Sequence, residues 1–554
     1  MLRPLRSLVP FALLLFAGVL ASTTPAAQAN VDPTIDVRLG ILGNLAWLDR
    51  EGTFPDGTNA SAMNTTVCNQ GSEVNWFQPM NPDHPFIAFL VARESNGRFE
   101  QISDRSYVKH GFFALASSQC TSCTPPSGGF GNKLGVGCSD TYSVANNGND
   151  FWLGPPDEID PWTGDWDPVC SLFDLGLSST TCDGSRSYSQ AQVNGLGPIG
   201  NRIQLSDADL NVAGATYWYQ GHYIVPREAE DKRFDNLGSR GFDPVWDGVR
   251  WNLFEVDTLL PDTVLLRWDG SSLDSATNGG DDGRVYVAVK VTGPDKGLYH
   301  YELALHNRDN ARGIDELRLP VCAGARVLAA GFSDVDDDAG NDWSIALSPA
   351  GDELVLTDVS GTNALRWNSI YNVWFDSDAA PGAADLTLRQ ADPGAGAATI
   401  AVGTQAPLEL YNVFAGAGCT LGANEPSLFA EGAPARALLG NTSFSLVTEG
   451  NVPGQPNVLA ASDSTAPGAL PLGACTLWLD GSLGVEIYAL ASGTTDASGR
   501  LVYSLPVPND VSFEGVTVGF QALGINPGGG PAFNVFEFSN ALRVRVGDSI
   551  TTCP

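Results

Sequence analysis

Basic residues are scarce in this chain. Thirty Lys and Arg face 63 Asp and Glu, which leaves a net charge of −33. A chain this acidic lacks the basic stripe that a phosphate backbone requires, so nucleic acid is not an expected partner. The same excess favours solubility and attracts divalent cations. Charged residues nevertheless make up only 17% of the chain and apolar residues 43%. That balance excludes a disordered acidic polymer and allows sizeable cores, and 554 residues suggest two to four domains. Histidine is rarer still, with His84, His110, His222, His300 and His306 the only five. The HExxH, Gly-x-Ser-x-Gly and phosphate-loop patterns are missing, which removes the commonest hydrolase and nucleotide signatures.

Long apolar runs are confined to the start. Arg3 and Arg6 precede an apolar stretch from Leu8 to Leu20, and Ala27-Gln28-Ala29 supplies a small-x-small cleavage pattern. The stretch is short for a membrane span, so residues 1–29 read as a signal peptide and Asn30 as the mature start. Cleavage removes Arg3 and Arg6 and no acid, taking the charge from −33 to about −35. The expected location is secreted, extracellular or at the cell surface, with no transmembrane segment after cleavage.

Ten cysteines follow: Cys68, Cys120, Cys123, Cys138, Cys170, Cys182, Cys322, Cys419, Cys475 and Cys553. An even count in an exported chain predicts disulfides. The spacing suggests six paired within the N-terminal region, with Cys170–Cys182 the natural local loop. Cys322 is then expected to pair with Cys419, and Cys475 with Cys553. A Cys₃His zinc site from His110, Cys120, Cys123 and Cys138 is the alternative.

Helical periodicity is sparse, while 62 Gly and 35 Pro punctuate the chain. Strand-type alternation recurs at Arg284–Val291, Leu298–Leu305 and Val516–Ala522, with a Gly-Pro-Asp-Lys-Gly turn at 293–297 between the first two. The one tempting helix is Tyr107–Ser118, capped by Ser106. The predicted class is all-β, with two or three sandwich-like domains and an irregular, disulfide-rich N-terminal region. The expected divisions are 30–250, 251–425 and 430–554, and the first two can pack as one body because no long linker separates them.

Several segments carry a resemblance: Asp83–Ile87, Gly97–Ile102, Lys109–Leu115, Leu134–Tyr142, Leu153-Gly-Pro, Tyr299–Glu302 and Asn363–Trp367. Over residues 80–375 they resemble an uncharacterised family of large secreted all-β proteins from environmental bacteria of the planctomycete type. The last region resembles a common C-terminal β module of such proteins. The resemblance implies architecture and location but no activity. The chain departs from the family pattern at Ser333, where a His often stands.

Three groups of residues suggest chemistry. His84, His110 and His300 fall within the resembling segments, and neutral imidazoles from separate strands can hold copper or zinc. His300 and His306 share a strand face but lie about 20 Å apart at ~3.3 Å per residue, so they cannot share an ion. Asp334, Asp336, Asp338 and Asp342 alternate around Gly340 as in a calcium loop, although Ile345 stands where a bidentate Glu belongs. Trp152, Trp162 and Trp166 are interleaved with Asp157, Glu158 and Asp160, the mixture of rings and acceptors that a polysaccharide requires. Ser106-Tyr-Val-Lys109, with Ser139-Asp140, matches a Ser-x-x-Lys pattern, but an all-β chain is the wrong scaffold for it. The favoured expectation is a calcium-stabilised protein that binds polysaccharide or a cell-surface component. The competing one is an extracellular zinc hydrolase or copper oxidase using His84, His110 and His300.

Overall fold

The computed structural model describes residues 31–76, 79–111, 113–127, 131–176, 181–279, 283–336, 338–463, 468–480 and 485–547. The expected leader, Asn30, Asp337 and Cys553 lie outside these residues. The architecture is all-β. The three α-helices among the described residues, Val144–Asn147, Gln190–Asn194 and Asp207–Leu210, are four or five residues long. Each is started by a serine (Ser143, Ser189 or Ser206) whose side chain accepts a hydrogen bond from the first turn.

Four sheets stack with three apolar layers between them. The outermost is built on Val37–Glu51 and Thr58–Asn69, with Ile203–Ser206 and Ser139–Tyr142 paired to the latter. Next comes an eight-stranded sheet centred on Phe86–Ser95 and Thr216–Ile224. The third sheet runs Ser272–Thr277, Arg284–Asp295, Leu298–Asn307, Ser369–Ser377 and Val327–Ser333. The fourth runs Ser344–Leu347, Glu353–Thr357, Ile314–Pro320, Ala380–Gln390 and Thr399–Glu409.

Period-two alternation explains how the inner sheets serve two layers each. In Phe86–Ser95, Ile87, Phe89 and Val91 face the outer core, while Leu90 and Ala92 face the third sheet. Arg284–Asp295 mirrors it: Val285, Val287 and Val289 enter the core of the third and fourth sheets, and Tyr286 and Ala288 meet Leu90, Phe99 and Trp218. A strand buried on both faces reads as a nearly continuous apolar run, as FIAFLVA does. The turn at 293–297 joins two antiparallel strands, as the sequence predicts.

Beyond this stack, Asn412–Ala415, Phe536–Arg545, Thr517–Ile525, Pro456–Ser462 and Ile487–Thr494 form a sheet. It packs on Ser427–Glu431, Ser445–Glu449 and Leu501–Ser504 around a separate core of Leu446, Leu459, Phe520 and Leu542.

Disulfides link Cys68–Cys120, Cys123–Cys138, Cys170–Cys182 and Cys419–Cys475. The expected Cys322–Cys419 and Cys475–Cys553 bonds are therefore corrected. Cys419 bridges its backbone to Phe538 and packs in one small core with Cys475, which brings those two sulfurs together. Cys322 is also disulfide-bonded. The Cys₃His zinc alternative falls with these pairings, because Cys120, Cys123 and Cys138 all carry S–S bonds.

The predicted helix at 107–118 is absent. Its backbone instead pairs with distant carbonyls, His110 donating to Trp152, Ala114 to Gly131 and Ser117 to Ser139. Val108–Lys109 is a short strand, and Gly111 at φ +65° turns the chain in a way that a helix does not allow.

Candidate functional site

The tryptophan-rich loop is pinned from within. Pro156–Glu158 makes one 3₁₀ turn, and Ile159–Asp160 then pairs with Asp165–Trp166. Asp160 closes that hairpin by accepting from the amides of Trp162 (2.8 Å) and Thr163 (3.0 Å). Glu158 accepts from the Leu172 amide at 2.7 Å and from the Trp166 indole at 3.4 Å. Burial raises the pKa of both Glu158 and Asp160.

One of the three indoles is buried and the other two are half-buried. Trp166 is 3% exposed, boxed by His84, Phe86, His110 and Phe173. Arg186 lies 4.6 Å from the Trp152 ring, and Arg233 lies 4.7 Å from Trp162. The rings expected to carry sugar thus stack on the chain's own side chains.

The three histidines expected to hold a metal separate into two places. His84 Nε2 lies 3.4 Å from His110 Nδ1, and His84 Nδ1 is 2.7 Å from the Asn81 carbonyl. Burial holds the His110 imidazole well below its usual pKa, with His84, Lys109 and Arg186 adding to the effect. His110 Nε2 is buried without a hydrogen-bond partner, and a Cβ at Gly154 would come within 2.9 Å of it. His300 instead sits between Asp376 (2.7 Å) and Glu302 (3.0 Å), with 41% of its side chain exposed. The three imidazoles do not share a site. Among the described residues no three His, Cys, Asp or Glu side chains are grouped to hold a metal ion. His306 bonds to Thr263 Oγ1 at 2.7 Å, and burial lowers both His306 and His222 to about 3.

Along Asp334–Asp342 the carboxylates are engaged with their own loop. Asp334, Asp336 and Asp338 each accept from the amide two residues on, at 3.0, 2.8 and 3.0 Å. Asn341 and Asn363 bind Asp336 and Asp334 from the side, and Asp342 is exposed. Burial first, then neighbouring aspartates, raises Asp334 and Asp342. Three of the four Ser-x-x-Lys residues are also held by other side chains. Ser106 Oγ donates to Asp104 at 2.9 Å, Ser139 Oγ meets Ser117 Oγ at 2.8 Å, and Asp140 accepts from Trp76 Nε1 at 2.6 Å.

Two of the sequence-flagged loops converge where sequence alone gave no link. Asp157 and Asp336 line one cleft of about 560 Å³, together with Arg105, Asn363, Arg366 and Asp392. Arg105 reaches across the sheet stack, its Nε donating to the Trp367 carbonyl at 3.0 Å and its Nη1 binding Asp157. Arg366 binds the Arg312 carbonyl at 3.3 Å and pairs with Asp392. Burial lowers the Arg105 pKa, Asp157 opposes that shift, and the nearby Arg366 charge adds to it. Trp367 fixes the wall: it is 2% exposed, donates to the Pro156 carbonyl at 3.0 Å, and packs with Ile159 and Trp166. Arg105 Nη2 and Ser369 Oγ are buried in this wall without hydrogen-bond partners.

Sequence reasoning missed Arg105, Arg366 and Asp392. The available signal was the rarity of arginine in so acidic a chain, with one of the few beside a tryptophan in Asn363–Trp367.

No known protein family matches the chain, and no curated protein matches it. Among solved structures, BcpA, the major pilin subunit of Bacillus cereus, aligns at 8% identity with a TM-score of 0.18, covering 59% of this chain and 81% of that one. The full-length major pilin SpaD of Corynebacterium diphtheriae aligns at 9% identity and 0.19, covering 69% and 85%. Similarity this low assigns no function, and the fold class rests on the strands themselves.

Proposed function

We propose that this chain is a secreted or surface-associated binding and structural protein, a disulfide-braced β scaffold that presents the Arg105–Arg366 cleft. The observation that carries this reading is the convergence there of two guanidinium–carboxylate pairs at the joint of two packed sheets. Paired disulfides across the N-terminal loops and the C-terminal unit suit an oxidising compartment. No described helix is long and apolar enough to cross a membrane. The resemblance to secreted planctomycete-type proteins agrees with the same location. The reading stands without a metal centre, since only His84 and His110 of the expected triad are in contact.

Fractionation of a producing bacterium tests it. The mature chain is expected in the medium or on the surface without free thiols. Recovery of a reduced chain from the cytosol would refute it.

A further inference from the structure

We infer that the cleft between Arg105 and Arg366 is a binding site for a neutral, polyhydroxylated ligand, a short oligosaccharide or sugar terminus. This rests on the binding reading above and specifies its ligand.

Four observations carry it. The first is size, since about 560 Å³ falls within the ~300–1,000 Å³ typical of small-ligand pockets. The second is the pattern of donors and acceptors. Each Arg–Asp pair uses only part of its capacity. A guanidinium has five N–H donors and a carboxylate about four acceptor positions, so each pair leaves a donor beside an acceptor. Neighbouring hydroxyls on a sugar both donate and accept, and so match that arrangement. Exposed Thr362 extends the polar rim.

The third observation is charge. Asp157 and Asp392 already balance the two arginines, and Asp336 adds an exposed carboxylate, so the site offers no net positive field to an anion. A cation would gain only the single surplus charge of Asp336, whereas a neutral ligand uses the donors and acceptors of both matched pairs. The fourth is the state of the wall: Arg105 Nη2 and Ser369 Oγ are buried and unpaired, leaving hydrogen-bonding capacity beside the cleft unused within the protein. The walls also limit the ligand's shape. Trp367 and Tyr371 line the cleft but are 2% and 5% exposed, so no aromatic shelf is available for a flat polysaccharide face. The ligand enters the cleft edge-on, through its hydroxyls.

The test uses the full mature chain, with neutral malto-, cello-, manno- and galacto-oligosaccharides, uronate oligosaccharides and lysine-rich peptides as probes. Binding is read by calorimetry and tryptophan fluorescence. At least one neutral series should bind, with Asp157→Asn and Asp392→Asn each weakening it about tenfold at unchanged melting temperature. Ala311→Trp fills the cleft while keeping both ion pairs, and should abolish binding. The inference is overturned by no neutral binding, by tighter binding of uronates or basic peptides, or by affinity that ignores all three variants. A chain correctly exported and oxidised that binds none of these probes defeats this inference alone. A reduced cytosolic chain defeats the functional reading beneath it.

Discussion

The four-sheet stack and the C-terminal unit are built from the same kind of strand, but they bury it differently. In the stack, Phe86–Ser95 and Arg284–Asp295 are apolar on both faces, so neighbouring cores share strands. In the C-terminal unit, Leu446, Leu459 and Phe520 close the main core, Ala460, Phe538 and Ala541 pack a smaller one with Cys475, and the edge strand Ile487–Thr494 leaves Ile487, Tyr488 and Leu490 exposed. Its joint to the stack is small, with Lys296 paired to Glu449 at 2.8 Å and Arg326 set 3.7 Å from the Phe414 ring. Sharing strands between successive sheets should make the stack cooperative, whereas so small a joint should leave the C-terminal unit to unfold by itself.

The largest effect should come from the shared layer. Phe99 is fully buried between the second and third sheets, so Phe99→Ala should cost about 3–5 kcal/mol. Calorimetry should show the transition of the whole stack falling while the C-terminal transition stays in place. Phe520→Ala should do the reverse.

Disulfide removal sharpens the contrast. Cys419–Cys475 closes a separation of 56 residues, and its loss should destabilise the C-terminal unit by about 4 kcal/mol on loop-closure grounds. Cys170–Cys182 spans 12 residues, and its loss should cost the stack about 3 kcal/mol. Denaturant unfolding of Cys→Ser pairs measures both.

Acidity separates the two regions next. Burial pushes Glu228 up to about 7, against hydrogen bonds from the Val37 amide and Asn236 that favour its charged form. The folded state therefore holds a proton that the unfolded chain releases near pH 4.5. Stability from this group is fullest below pH 4.5 and falls through the window to pH 7, by about 3 kcal/mol. Glu228→Gln should flatten that decline in melting temperature between pH 5 and 8. In the C-terminal unit, hydrogen bonds hold Asp496 and Asp510 below their usual values, so its transition should change little in that window. The smallest effect is expected from Lys296→Ala, about 0.5 kcal/mol or less, because that lysine is largely exposed.

Much of the fold was legible because alternation is a local signal. Arg284–Val291 and Leu298–Leu305 announce their strands. Segment 107–118 misleads because Ser106 and the apolar residues after it satisfy local helix rules, while Trp152, Gly131 and Ser139 supply partners from afar. Pairing of Cys419 depends on the bridge to Phe538, more than a hundred residues away. The candidate site was half visible. Asp157 and Asp336 were flagged in separate loops, but only the packing of the second and third sheets sets them around Arg105 and Arg366. Nothing local in Trp152 or Trp162 revealed that Arg186 and Arg233 would cover them.

The most direct measurement of the central claim is disulfide mapping by mass spectrometry on protein recovered from outside the cell. Peptides linked through Cys68–Cys120, Cys123–Cys138, Cys170–Cys182 and Cys419–Cys475 are expected, with no free thiol. A native, stable chain found only inside the cell with its cysteines reduced would contradict it.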